Sequence, residues 1–390
     1  MGKDTWTPSN IGAAVAFYYS YNLLDQQTSM TDVRGTIYTT TYDAAGRPSA
    51  MTSTMSDTTH PPTLYTVNSY NPLGEITSAT YGKTGTGTTA TAHTATFDNR
   101  GRMLTVSDAV TTGSPYSLTV AYSNGRVASA NDSINGNWSS FQYDEYGRLK
   151  GSTCTANCPG SGSSLAYKYD YDEFGNRWHQ TVTAGTGYPT TLQFDRNNHL
   201  IANCAGGTSN YCYDGPGNLF YDGLGGAWSH DSEGRVFAYS GGSASATYVH
   251  DALGQRTHRV VNGTVYDYVF DNQGRENIKD NGGFAGWNWS NLYFGGSHVA
   301  TYANSSTYFS HTDHLGSERM QTDPTGNTNG SAETNQPFGE WTSTGMQEEV
   351  GFTGDLLDNP DGNASHTPNR QYSQTQGRNS WTDGTFTRFR

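Results

Sequence analysis

A short motif that recurs at intervals of 17 to 28 residues constrains the fold of this chain more than any other feature. It reads as an aromatic residue or His, then Asp or Asn, two free residues, Gly, and a long polar residue. Examples are "YDAAGRP" (42–48), "YDEYGRL" (143–149) and "YDEFGNR" (171–177). A fixed unit repeated along most of a chain indicates a repeat architecture built by stacking one supersecondary element.

Each position of the motif has a mechanical role in a β-hairpin. The aromatic residue ends a strand, and Asp or Asn bonds forward to the turn amides. Gly takes the position with positive φ, as in hairpin loops that end in a glycine bulge. The motif residues that we assign to these structural roles are Tyr42, Asp43, Gly46, Arg47, Tyr143, Asp144, Gly147, Arg148, Tyr171, Asp172, Gly175, Tyr213, Asp214, Gly217, Asp251, Gly254, Asp271, Gly274 and Arg275.

The sequence between the motifs predicts strands and no helices. These segments are rich in Thr, Ser, Val and Tyr, and no apolar run has helical spacing. Tyr is the main aromatic residue, with 27 copies against 15 Phe and 8 Trp, and it suits half-buried sheet positions. We predict an all-β meander of successive hairpins that curls into an open or partial hollow shell, because a long sheet twists and cannot stay flat.

The repeats resemble the YD repeats of Rhs and teneurin-type proteins. The segments "YFSHTDHLGSERMQTDPTGN" (308–327) and "NQPFGE" (335–340) resemble the Rhs repeat-associated core, and 351–378 is similar to the segment that follows it. The residues that carry this core motif, to which we assign structural roles, are His311, Asp313, His314, Leu315, Gly316, Ser317, Arg319, Pro337, Phe338, Gly339, Phe352, Thr353 and Gly354.

The resemblance implies a shell that encloses a toxin in bacterial relatives, including toxin complexes, and that serves adhesion in teneurins. It implies a non-catalytic scaffold with no cofactor, whose partners are a toxin cargo or a neighbouring shell or secretion component. Many relatives carry a self-cleaving pair of aspartates beyond the "GR" at 377–378. This chain instead reads "NSWTDGTFTRFR" there, so we expect a shell without a C-terminal toxin and no enzyme activity.

The motifs divide the chain into four expected parts. We expect an edge segment at 1–40, the hairpin array at 41–300, the core segment at 301–378 and a divergent tail at 379–390. An alternative function is an extracellular structural, adhesive or carbohydrate-binding protein.

Three groups of residues are candidates for more than architecture. His311, Asp313 and His314 offer metal-ligand or acid/base chemistry, but we favour a structural role in a polar turn and expect no metal site. The aromatic residues Trp287, Trp289, Tyr293 and Phe294 form either a buried seam or a surface for glycans. The cysteines pair locally as Cys154 with Cys158 and Cys204 with Cys212, either as disulfides, as free thiols or as zinc ligands.

Charge and hydropathy exclude two classes of partner. The formal charge is −13 and no basic cluster occurs, so we expect no nucleic acid partner. The most apolar stretch, residues 11–21, is too short to span a bilayer and lacks the features of a secretory signal. We expect an extracellular or cell-surface bacterial protein, and these residues leave its oligomeric state open.

Overall fold

The computed structural model describes residues 2–6, 15–83, 89–111, 116–201, 210–223, 225–242, 244–281, 289–303, 306–330, 332–343, 350–354, 356–358, 364–367, 370–374 and 378–379. In these residues the fold is almost entirely antiparallel β, and the only helical element is a 3₁₀ turn at Phe352–Gly354. No helix of the described ranges is long and apolar enough to cross a bilayer. The prediction of an all-β meander is confirmed.

The strands form two large open sheets and two small ones. The first sheet contains β1 (Gly2–Trp6), β2 (Val15–Tyr21), β3 (Gln27–Thr31), β4 (Ile37–Tyr42), β5 (Pro48–Ser53), β6 (Thr63–Tyr70), β7 (Ile76–Lys83), β8 (Thr89–Phe97), β9 (Met103–Val110), β10 (Tyr116–Ser123), β11 (Arg126–Asp132), β12 (Gly136–Tyr143), β13 (Leu149–Cys154), β14 (Leu165–Tyr171), β15 (Arg177–Ala184) and β16 (Thr190–Thr191). The second contains β17 (Tyr211–Tyr213), β18 (Leu219–Asp222), β19 (Gly226–His230), β20 (Val236–Gly241), β21 (Ala244–His250), β22 (Arg256–Val261), β23 (Thr264–Phe270), β24 (Glu276–Asp280), β25 (Trp289–Phe294), β26 (Ser297–Ala303), β27 (Ser306–Thr312), β28 (Glu318–Thr322) and β29 (Thr328–Asn329). The small sheets are β30 (Thr334–Asn335) with β31 (Trp341–Ser343), and β32 (Leu356–Asp358), β33 (Ala364–Thr367), β34 (Arg370–Ser373) and β35 (Arg378–Asn379).

Within each sheet every strand pairs with its neighbour in sequence, as a meander requires. Neither sheet closes on itself, so the strip is open. The boundary that we placed at residue 300 does not coincide with a break in pairing, because β26 spans it and pairs on to β27. The break falls instead inside the hairpin array, between β16 and β17. The segment before residue 41 already consists of paired strands.

The repeat turns have the geometry that the motif predicts. The Asp43 amide donates to the Arg47 carbonyl at 2.8 Å, and the Asp43 carboxylate accepts the amides of Ala45 and Arg47, each at 2.9 Å. The glycines at the equivalent position of the repeats have φ between 74° and 99°. One variant repeat places Asn198 there, at φ 66°, which Asn tolerates better than most residues do.

Where the repeat has a tyrosine, its side chain joins successive hairpins. The Tyr171 hydroxyl donates to the Leu149 carbonyl at 2.7 Å, and its ring lies under the Arg148 guanidinium at 4.5 Å. Tyr143 and Tyr293 bond the equivalent carbonyls one repeat earlier, at 2.9 and 3.1 Å. The long polar residue after the glycine is therefore a partner of the next repeat as well as of its own turn.

The two large sheets pack on each other through a shared apolar core. Phe17, Tyr65 and Tyr81 of the first sheet lie in one buried cluster with Phe294 and Phe309 of the second. A second cluster covers the inner face of β8 to β14 and includes Met320 from β28. The segment around the core motif thus lies against the inside of the first sheet.

Candidate functional site

The core motif lies where the second sheet meets the first, and "DHLGS" within it is one more turn of the repeat type. The Asp313 amide donates to the Ser317 carbonyl at 2.9 Å, and Gly316 has φ 86°. The turns that begin at Asp323 and Gln336 close in the same way. The core segment therefore continues the hairpin construction of the array.

A buried arginine joins this turn to the first sheet. Arg319 donates to the Asp313 carboxylate at 2.7 Å, and its Nε lies 3.8 Å from Asp132 at the end of β11. All three side chains are almost completely shielded from solvent. We name this group, together with Glu333 beside it, the arginine cluster.

Burial controls the titration of the arginine cluster. It raises the pKa of Glu333 to about 8, although Arg319 and Asn335 partly offset the effect. It also raises the pKa of Asp132, against the pull of Arg319. Burial would do the same for Asp313, but Arg319 and the turn amides hold the pKa of that carboxyl below its usual value. The Arg319 guanidinium thus lies among three carboxyl groups, of which Asp313 has a lowered pKa while the other two have raised pKa values.

A second buried group centres on His311 and links β27 to β9. Its Nδ1 lies 3.1 Å from Asp108, which also contacts His93 at 2.6 Å, and its Nε2 lies 2.9 Å from the Thr322 hydroxyl. The two histidines hold the pKa of the Asp108 carboxyl well below its usual range, although burial opposes them. The hydrogen-bonding order Asp108, His311, Thr322 is that of the acid, base and hydroxyl in a catalytic triad. His311 and Thr322 are fully buried, so a substrate could not reach the hydroxyl while the sheets are packed.

The "NQPFGE" turn makes a third contact with the first sheet. The Glu340 carboxylate lies 3.3 Å from Arg177 and 3.1 Å from the Gln180 amide nitrogen, both on β15. The guanidinium of Arg177 lies 3.9 Å from the centre of the Phe338 ring, whose edge meets Tyr169. Pro337 precedes this ring in the turn and is half-buried.

Hydrogen bonds between backbone groups and side-chain hydroxyls hold the segment after this turn. The Thr353 amide donates to the Ser317 hydroxyl at 3.0 Å, and the Tyr372 hydroxyl donates to the Phe338 carbonyl at 3.0 Å. Gly339 has φ 88°, and a Cβ there would lie 2.6 Å from the Phe352 ring. Gly354 lies against Gly316, so the two parts of the core motif meet.

Two residues of the core motif, His314 and Leu315, are less buried than the residues described above. His314 is half-buried, and burial lowers its pKa. Leu315 is half exposed at the tip of the turn. In the described ranges no three His, Cys, Asp or Glu side chains are arranged to hold a metal ion.

Of the candidate aromatic residues in the described ranges, Phe294 is buried, and Tyr293 and Trp289 are half-buried. Phe294 belongs to the shared core, and Tyr293 stacks on Arg275 at 4.4 Å as a repeat aromatic residue does. Trp289 is half-buried beside Lys279. Phe294 is therefore no surface for a glycan, because the packing of the two sheets covers it. Trp287 lies outside the described residues.

The cysteines are joined at least in part. A disulfide links Cys154 with Cys158, and both are buried in the second apolar cluster. Cys212 is also disulfide-bonded, and Cys204 lies outside the described residues.

Sequence reasoning missed the partners of the core motif on the first sheet. Asp108 and Asp132 lie in strands and belong to no local motif, and Arg177 ends the repeat motif at 171–177 with nothing in that motif to indicate a partner in the core segment. Only Glu340 carried a signal, since it ends the "PFGE" of the core motif. Contacts between residues about 160 to 230 positions apart are set by how the strip folds back.

Comparisons with known proteins agree with this architecture. The family model of the teneurin YD-shell matches residues 110–389, and that of the RHS repeat matches residues 21–55. A search of the curated proteins finds no match.

Solved structures of toxin complexes share the fold. A TcdB2–TccC3 crystal structure is similar with a TM-score of 0.74 at 14% identity, over 95% of this chain and 21% of that one. A Photorhabdus luminescens Tc holotoxin pore is similar with a TM-score of 0.73 at 14% identity, over 95% of this chain and 20% of that one. This chain thus spans about a fifth of the length of those chains. With the family match covering most of its length, the chain belongs to the teneurin YD-shell family.

Proposed function

We propose that this chain is a structural, non-catalytic part of a shell wall of the Rhs and toxin-complex type, working outside the cell. The observation that carries the proposal is the burial of the ionisable side chains of the core motif. Its ionisable side chains, Asp313, Arg319 and His311, are all buried in contacts that join the two sheets. Side chains that are buried in contacts between the sheets stabilise a wall and are not accessible to a substrate.

The partner that we propose is a polypeptide cargo or a neighbouring shell component. The similar solved structures are complexes of TcdB2 with TccC3, and an open strip has unpaired edge strands through which a further wall component could add. The Cys154–Cys158 disulfide supports a location in an oxidising compartment outside the bacterial cytosol.

Single-particle electron microscopy of the purified, monodisperse chain tests this proposal. We expect a curved β wall, hollow or C-shaped, whose concave side carries the core segment. A fibre or a flat stack of chains would instead contradict a wall role and favour an extracellular adhesive function.

A further inference from the structure

The two long edges of the first sheet are built from different turns. Successive turns of a meander alternate between the two edges, so the turns that follow β2, β4, β6, β8, β10, β12 and β14 share one edge. We name these turns the repeat-turn edge, which comprises residues 22–26, 43–47, 71–75, 98–102, 124–125, 144–148 and 172–176. The connections that follow the odd-numbered strands form the opposite edge.

The chain covers the opposite edge with its own residues. The Thr59 carbonyl accepts a hydrogen bond from the Thr307 amide at 3.0 Å, and the Asn135 side chain accepts one from the Asn335 amide at 2.9 Å. Three apolar side chains of these connections pack against the core clusters: Val33, Met55 and Ile134. This edge is therefore closed by β27 and by the core segment.

The repeat-turn edge, by contrast, carries exposed apolar side chains. In the described ranges eight large hydrophobic side chains are at least half exposed, and seven of them lie in repeat turns: Leu23, Leu24, Leu73, Tyr146, Phe174, Leu253 and Leu315. The first five of these belong to the repeat-turn edge. Single exposed apolar residues are ordinary, but a row confined to one edge of a sheet is typical of a surface that binds a partner.

The backbone of the turn explains why these side chains are exposed. Leu73 and Tyr146 immediately precede a turn glycine with positive φ, and Leu24 precedes Asp25, which has φ 57°. The residue at this position stands at the tip of the loop, beyond the ends of both strands. Leu73 is 60% exposed there, and Tyr146 is 76% exposed.

The repeat-turn edge is long enough for a specific contact between two proteins. Neighbouring turns lie two strands apart, which is about 10 Å, so the seven turns extend over about 60 Å. With the thickness of one sheet, about 10 Å, this edge offers about 600 Å² per partner. Two such edges together reach the lower limit of specific interfaces, about 1,200 Å².

Large and small tips follow one another along this edge in a self-complementary order. A twofold axis at the central turn, 98–102, places each turn opposite the turn that lies equally far on the other side. Leu73 then faces the two-residue turn 124–125, and Tyr146 faces Ala45. Each large side chain thus meets a turn that has no large side chain.

The ends and the centre of the edge match under the same axis. Phe174 meets Leu23 and Leu24, so apolar side chains pair at both ends. At the centre the Arg100 side chains of the two copies meet, and the Glu75 carboxylate, which lies against the 98–102 turn, compensates their charge. A twofold axis in the plane of the edge also superimposes a curved edge on itself.

We propose that two copies of this chain pack through their repeat-turn edges as an isologous dimer, so that two curved strips form a wall of twice the height. The inference rests on the proposed wall function and names the neighbouring shell component as a second copy. Burial of the apolar tips drives the association, and the order of large and small tips sets its register. Assembly stops at two copies, because the opposite edge is already covered.

Sedimentation velocity of the intact chain over a concentration series tests the association. We expect an equilibrium between monomer and dimer. Leu73→Ser combined with Tyr146→Ser should weaken it about tenfold or more, because each change occurs twice in an isologous interface. Leu253→Ser is the matched control, since Leu253 is exposed at the same turn position but belongs to the second sheet, and it should dimerise like the parent.

A cysteine pair tests the register of the dimer. Within one chain the turns of Ala45 and Tyr146 lie about 40 Å apart along the edge, so Ala45→Cys with Tyr146→Cys can form a disulfide only between copies. We expect a covalent dimer on mild oxidation. Ala45→Cys with Leu253→Cys is the control and should give none.

Three results would each overturn the dimer: a parent that is monomeric throughout the series, undiminished association of the double serine variant, or absence of the cross-link. Binding of a monomeric parent to phosphatidylcholine vesicles, lost in the double serine variant, would overturn it in favour of a membrane contact. Electron micrographs separate this inference from the wall function. A monomeric C-shaped chain refutes only the dimer, whereas a fibre or a flat stack refutes the wall.

Discussion

At the scale of single residues, the repeat tyrosines make a contact that the Phe and His of other repeats cannot make, because only tyrosine has a hydroxyl. Tyr171 stacks under Arg148 of the preceding repeat, and its hydroxyl satisfies the Leu149 carbonyl where the bulge interrupts the ladder. Buried or half-buried carbonyls need such partners. The repeats that begin with Phe97 and His230 have the same bulge without this hydroxyl, so the hydrogen bond strengthens the tyrosine repeats and is not required by the turn.

Tyr171→Phe should therefore lower the free energy of unfolding by about 1 kcal/mol, because it leaves the Leu149 carbonyl without its hydrogen bond while keeping the ring. Chemical denaturation followed by tyrosine and tryptophan fluorescence measures the change. Tyr146→Phe is the control, since the Tyr146 side chain is 76% exposed at a turn tip, and it should unfold like the parent. Equal midpoints for the two variants would contradict the fastening role.

The arginine cluster makes a prediction about pH. Glu333 has its pKa raised to about 8 by burial, so the folded chain holds this proton more tightly than the unfolded chain does. Its contribution to stability is complete below its ordinary pKa and is lost as the pH rises through about 8. Arg319 lies beside it and favours ionisation, whereas Asp313 opposes it.

Glu333→Gln should keep the neutral form at every pH. We expect its melting temperature, relative to that of the parent, to rise between about pH 5 and about pH 9. Differential scanning calorimetry at the two values measures this difference. A parent and variant whose melting temperatures shift in parallel over that range would show that the pKa of Glu333 is the same in the folded and the unfolded chain.

At the scale of elements, the turn decides the hairpin. The backbone of Gly147 has φ 82°, and a Cβ there would lie 2.2 Å from the Arg126 guanidinium. The strands on either side, β12 and β13, are only partly buried, and Leu149 is their one large aliphatic side chain. Their register therefore depends on turn geometry more than it would in a thick core.

Gly147→Ala should cost about 1 kcal/mol or more, because an L side chain is strained at that φ and Arg126 must move. Gly215→Ala is the matched control in another repeat turn: its backbone has no such φ and its surroundings are open, so we expect no loss of stability. Thermal unfolding of both variants measures the difference. A Gly147 variant as stable as the Gly215 variant would refute the assigned turn geometry.

At the scale of the whole molecule, buried charge contacts fix how the strip folds back on itself. Apolar packing between Tyr-rich sheets tolerates several arrangements, whereas Arg319 fits only where it meets both Asp132 and Asp313. Burying such charged groups contributes little net stability, but it specifies one arrangement of the sheets. Removing one partner leaves the other buried charges unpaired.

Arg319→Met should lower the free energy of unfolding by about 3 kcal/mol or more, because it leaves two buried carboxyls without their cation. Hydrogen exchange should then speed up in β28 and at the end of β11 while the outer hairpins stay protected. Arg235→Met removes a guanidinium from a pair with Asp231 that is about 30% exposed, and it should change stability by less than about 1 kcal/mol. Unchanged exchange in β28 would mean that the arginine cluster does not hold the sheets together.

The sequence alone determined what lies close along the chain. The motif at 42–48 and its copies predict turn type, positive φ and strand order, because Asp43 and Gly46 act within five residues of each other. The resemblance of the core motif to Rhs proteins marked its position, and the "DHLGS" turn could be inferred from its composition. Local chemistry and a period in the sequence were sufficient for these features.

Only the tertiary structure decided which residues the core motif meets. Asp108 and Asp132 look like ordinary strand residues in the sequence, and they become buried charge partners because β27 lies against β9 and β28 against β11. The break between β16 and β17 was likewise invisible, since the repeat continues through it. The physical reason is that the repeat in the sequence encodes only the pairing of neighbouring strands. The curvature of the sheet accumulates over many strands, and it determines which distant strands pack against each other.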